Sequence, residues 1–106
     1  MKPPGSVKIG YRDYEIRFQP KDIKESDDFG ECLKNEAVIL IHEPQRLQDK
    51  AETLLHEACH AIWNAADLPD KATEEQAVKA LSKGLAGVFR DNPEAIKWIL
   101  AGLKAK

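Results

Sequence analysis

Residues 36–66 read EAVILIHEPQRLQDKAETLLHEACHAIWNAA, and a change of period inside this stretch decides the fold. Residues 36–42, EAVILIH, have a continuous apolar centre, which predicts a strand covered on both faces. Pro44 ends it, because proline has no N–H to give to a sheet ladder. From there Leu47, Ala51, Leu54, Leu55, Ala58 and Ile62 recur at helical spacing. A helix is predicted to about Ala66, with Leu68-Pro69-Asp70 breaking it.

Towards the N-terminus, residues 7–18, VKIGYRDYEIRF, predict a strand or a bent pair of strands. Tyr14, Ile16 and Phe18 alternate there with Glu15 and Arg17, the period-2 signal of a half-buried strand. Residues 19–35 are polar, with Pro20, Asp27, Asp28, Gly30 and Asn35. They predict loop and turn, with room for a short strand near Cys32-Leu33. Towards the C-terminus, Thr73-x-x-Gln76 is a capping-box pattern that opens a second helix. Val78, Leu81, Leu85 and Val88 form its apolar stripe, with Ala80, Gly84 and Gly87 as small residues beside it. Each glycine costs roughly 1 kcal/mol of helix propensity, which close helix packing would offset. Asn92-Pro93-Glu94 supplies a cap, a first-turn proline and an acidic first turn for a last helix to about Ala105. The expected architecture is α+β: one domain spanning residues 1–106, a small N-terminal β-sheet followed by three helices.

The 106 residues suffice for a single modest core. With 42% hydrophobic and 32% charged residues, the balance is that of a globular chain and not a disordered one. A formal net charge of -2 gives no basic excess for nucleic acid. The longest aliphatic run, Ala37 to Ile41, is far short of a membrane span. No apolar run follows Met1-Lys2-Pro3-Pro4-Gly5-Ser6, so the expected location is the cytoplasm, without nucleic-acid or membrane partners. Cys32 and Cys59 share no C-x-x-C spacing, and a reducing compartment disfavours a disulfide between them.

His56 and His60 lie one helical turn apart, so both imidazoles leave the same side and can reach one metal ion. Neutral imidazole suits zinc. Glu57 points about 100° around the helix from His56, poorly placed to ligate but able to act as general base on a metal-bound water. The alternative is an amphipathic helix with two outward histidines, since both fall away from the Leu47/Leu54/Ala58/Ile62 face. Trp63 shares the histidine side, however, which suggests partial cover there. Two of the chain's three histidines fall in this one pattern. The metal reading is therefore preferred.

A zinc site needs a third protein ligand. Glu74 and Glu75 open the next helix, where the dipole favours acidic residues with or without a metal. Glu74 shares the phase of Val78, Leu81 and Leu85, whereas Glu75 falls with Lys79, Ser82 and Lys83. An inward carboxylate needs a partner. Glu74 is thus the expected third ligand, with Glu75, and then His42 or another residue, as alternatives. His42, alone at a strand end, otherwise reads as surface polar chemistry. Cys59 reads as a small hydrophobe at the core edge. Tyr11 and Tyr14 offer hydroxyls to an oxyanion, but packed strand residues are the simpler reading.

The runs Thr53-Leu54-Leu55-His56-Glu57-Ala58-Cys59-His60-Ala61-Ile62, Glu74-Glu75-Gln76-Ala77-Val78, Gly84-Leu85 and Arg90-Asp91-Asn92-Pro93-Glu94 resemble small phage- and prophage-encoded H-E-x-x-H proteins. That likeness runs from Val7 to Leu100. More distantly, over the two metal-bearing helices, the chain resembles the ImmA/IrrE anti-repressor peptidases of gluzincin type. The resemblance implies a minimal zincin-like fold, Zn2+ on His56, His60 and Glu74, and Glu57 as base. Ala77, three residues after Glu74, fits the family's small residue. Val78 replaces its asparagine, Cys59 its bulky residue or glycine, and no second domain is expected to wall the cleft. The function expected is zinc-dependent hydrolysis of a peptide bond in a regulatory protein. The alternatives are a non-catalytic zinc-stabilised module that binds a protein partner, and a metal-free helical interaction domain. Glu57 favours the first, because a purely structural zinc needs no base and closes its shell with a fourth protein ligand.

Overall fold

The alternation in residues 7–18 folds as a hairpin. Strands β1 (Ser6–Ile9) and β2 (Arg12–Pro20) pair antiparallel with Ile9 opposite Arg12, leaving a loop of Gly10 and Tyr11. Gly10 has φ 64°, the left-handed region that a glycine at the first loop position enters without steric cost. The computed structural model describes residues 2–20 and 29–105. The short strand expected near Cys32-Leu33 is β3 (Gly30–Leu33), and the apolar run is β4 (Val38–Glu43). The loop reading of Asp27 and Asp28 lies outside the described residues.

The strands form one mixed sheet in the order β1-β2-β4-β3, with β4 parallel to β2 and antiparallel to β3. Ile16 pairs with Ile39 and Phe18 with Ile41, so one face presents Val7, Ile9, Tyr14, Ile16, Phe18, Ile39 and Ile41 to the helices. Val38, Leu40 and His42 alternate onto the opposite face and are also buried. That is the two-sided cover expected of a strand with no polar residue in its middle.

Three helices follow: α1 (Leu47–Ala65), α2 (Glu74–Asp91) and α3 (Pro93–Leu103). The α+β order expected from the sequence, sheet first and then three helices, is the order observed. Helix α1 buries Ala51, Leu54, Ala58, Ala61 and Ile62 against the sheet and against Val88, Ala95, Trp98 and Ile99. Phe18 meets Trp98 edge-on with ring centroids 6.0 Å apart. The small stripe on α2 acts at one point: a Cβ on Gly84 would run into the Ile62 side chain, while one on Gly87 would meet nothing within 4 Å.

The capping box forms as read. The Gln76 amide N–H donates to Thr73 Oγ1 at 3.1 Å, and the Thr73 amide to Gln76 Oε1 at 2.9 Å. Asn92 occupies the N-cap of α3 but makes no side-chain cap bond. Its amide nitrogen donates instead to Lys8 O at 2.7 Å and Val88 O at 3.0 Å, and its Oδ1 accepts from the Lys8 N–H at 2.7 Å. One side chain therefore ties the α2–α3 corner to β1. Among the described residues no helix is long and apolar enough to cross a membrane.

Candidate metal centre

Both histidines stand exposed on α1, as the helical phase requires. Their Nε2 atoms approach to 3.2 Å, with ring centroids 4.9 Å apart. Two imidazole nitrogens on one tetrahedral zinc, each about 2.0–2.1 Å from it, stand about 3.3 Å apart. The pair thus has the spacing of two ligands on a single ion, and the donor type suits zinc.

Glu57, by contrast, is only 6% exposed and lies beneath β3. The close approach of β3 to α1 depends on Gly30. A Cβ there would stand 2.6 Å from Thr53 Cγ2, 2.7 Å from Leu40 O and 3.3 Å from Glu57 Cγ. Thr53, one helical turn before Glu57, is buried at the same contact and donates its hydroxyl to Asp49 O at 2.8 Å. Burial pushes the Glu57 carboxyl above its ordinary range. Positive charge on His56, His60 and His42 pulls it back, and the Glu31 carboxylate raises it further. Burial likewise raises the Cys32 thiol, with the Glu57 charge adding to the shift.

The histidines open onto a cleft of about 460 Å³. Cys59 and Trp63 continue its α1 wall, Leu81 of α2 faces them, and Lys34 and Asp70 reach it from the β3–β4 turn and the α1–α2 connection. Cys59 is half-buried and free, in keeping with a core-edge position, and Trp63 is partly covered as anticipated. Tyr14 is a packed strand residue, 1% exposed, and Tyr11 is at the hairpin tip.

Two expectations of placement need correction. Glu74 was expected to point inward with Val78; instead Glu74 is exposed and does not line the cleft, and Val78 is 54% exposed. The first turns of α2 project beyond the core, so the apolar stripe has the right phase but only its later part is covered. Glu75 is exposed as well. His42 was expected at the surface; it is 5% exposed. Among the described residues, no three His, Cys, Asp or Glu side chains are grouped as metal ligands. Sequence reasoning missed Gly30, Lys34 and Asp70. Only Gly30 carried a local signal, since a glycine in a strand marks a close backbone approach. Comparison with protein-family models, with curated proteins and with solved structures finds no match to this chain.

Proposed function

We propose that this chain is a zinc-dependent peptidase on a minimal zincin-like scaffold, with His56 and His60 on the metal and Glu57 as general base. The observation that carries the reading is the 3.2 Å approach of the two Nε2 atoms, on a helix that also carries the buried Glu57 carboxyl, 6% exposed. Zinc, when bound, supplies the Lewis acidity that polarises a peptide carbonyl and acidifies water. Glu57 takes up a proton on a carboxylate oxygen and returns it to the departing amine. Both histidines must be neutral to ligate.

The third ligand comes from the acidic residues of the α1–α2 connection and the first turn of α2, which are Asp70, Glu74 and Glu75. Trp63, Leu81 and Cys59 give the cleft an apolar wall that suits a peptide side chain. By the resemblance, the substrate is a bacterial or phage regulatory protein. The free thiols Cys32 and Cys59 suit a reducing cytoplasm.

The test is elemental analysis of protein purified without chelator, followed by mass-spectrometric screening of a broad peptide library. About one zinc per chain and chelator-sensitive cleavage are expected. Folded protein that takes up no zinc overturns the reading. Full zinc occupancy without cleavage in the library or in host lysate transfers the assignment to a zinc-stabilised interaction module.

A further inference from the structure

We infer that Asp70, and not Glu74, is the carboxylate that completes the zinc shell of His56 and His60. The inference rests on the reading of that histidine pair as zinc ligands. Asp70 lines the same cleft as both histidines, whereas Glu74 and Glu75 do not.

The local backbone separates the candidates further. Glu74 is the first residue of α2, and the Thr73–Gln76 capping box locks that helix start from both sides. Moving Glu74 to the histidines would break two hydrogen bonds or swing the helix. Asp70 belongs to the connection between Ala65 and Glu74 and lies inside a single turn closed by Ala72 N–H donating to Pro69 O at 3.1 Å. It is exposed, and among the described residues no hydrogen bond or ion pair holds its carboxylate. The assignment requires a shift of this one turn and leaves the capping box at the start of α2 intact. Carboxylate oxygen is an ordinary third donor to zinc beside two imidazoles. The neutral histidine pair also leaves the full charge of the ion to be balanced by such an anion. His56, His60 and Asp70 would hold the ion, whose binding would contribute to the stability of the fold.

Zn2+ affinity of the metal-free protein, measured against a competing chelator, tests this on the wild type and on Asp70→Asn, Glu74→Gln, Glu75→Gln and His60→Ala. Asp70→Asn is expected to weaken Zn2+ binding by more than about 100-fold, beyond what losing an outer-shell partner costs, and to match His60→Ala. Glu74→Gln and Glu75→Gln should bind as the wild type does. A purely structural role for Asp70 would lower the melting temperature of the metal-free protein. The expected variant melts with the wild type when metal-free and loses only the upward shift on adding Zn2+. If Asp70→Asn binds normally and Glu74→Gln or Glu75→Gln takes the loss, the assignment of Asp70 is overturned while the histidine centre stands. If wild type itself binds no Zn2+, the histidine centre falls and Asp70 with it.

Discussion

Gly84→Ala and Gly87→Ala are the same chemical change three residues apart on one helix, and the structure predicts opposite outcomes. In an exposed helix interior, alanine is favoured over glycine by about 1 kcal/mol. At Gly87 nothing lies within 4 Å of the added methyl, so the variant should gain up to that amount. At Gly84 the new Cβ overlaps Ile62 Cγ2 and stands 2.8 Å from Cγ1 and 3.0 Å from Cδ1, well inside the ~3.5–4.0 Å of an ordinary carbon contact. Ile62 is 3% exposed and branched at Cβ, so it has little freedom to turn away. Overpacking of this kind costs about 1–3 kcal/mol, which equals or exceeds the propensity gain. Propensity cancels between the variants, so their stabilities should differ by the packing cost, about 1–3 kcal/mol, or at least roughly 4 °C in melting temperature. Urea unfolding of the chelated protein, followed by circular dichroism, measures both. Equal gains at the two positions would refute the close crossing of α1 and α2 at Ile62.

His56→Ala and His60→Ala should each abolish stoichiometric zinc in elemental analysis while leaving circular dichroism unchanged, because both side chains are exposed. Glu57→Gln should keep its zinc and lose hydrolysis by roughly 10²- to 10⁴-fold, read by turnover of a library-derived peptide. In metal-free protein the same variant should be the more stable at neutral pH. The folded-state carboxyl titrates above its unfolded value of about 4.5, so wild-type stability falls as pH rises through that interval and the deficit is complete above it. The advantage of glutamine should therefore vanish below about pH 4, which melting curves against pH would show. Asn92→Ala removes three hydrogen bonds to main-chain groups and should cost about 2–4 kcal/mol, with faster hydrogen exchange at the Lys8 amide. An unchanged exchange rate there would dismiss the Asn92–β1 tie.

Much of the fold was legible because its signals are local. The four consecutive apolar residues Val38 to Ile41 announced a strand buried on both faces, and Thr73 with Gln76 announced a helix start to the residue. The i, i+4 histidines needed only helical geometry to converge, and they do. What failed depends on which length of an element is covered. A helical wheel gives the direction of Glu74 and Val78 but not that the first turns of α2 extend past the core. Nor does any local pattern join Asn92 to Lys8, 84 residues away, or bring Asp70 to the cleft that the histidines line. Those placements are made by the packing of whole elements.

The Asn92 side chain also decides how the sheet can grow. β1 is the outer strand of its side, and the Lys8 N–H and C=O face away from β2. A primary amide that accepts from one and donates to the other imitates the peptide group of a neighbouring strand. A second copy of the chain approaching edge to edge finds that pair of groups already taken. Exposed strand edges are the usual template for self-association, and natural proteins blunt them with charges, bulges or covering loops. Here a single amide from a helix corner occupies the ladder position at Lys8, so edge-to-edge pairing there is closed by the same residue that turns the chain from α2 into α3.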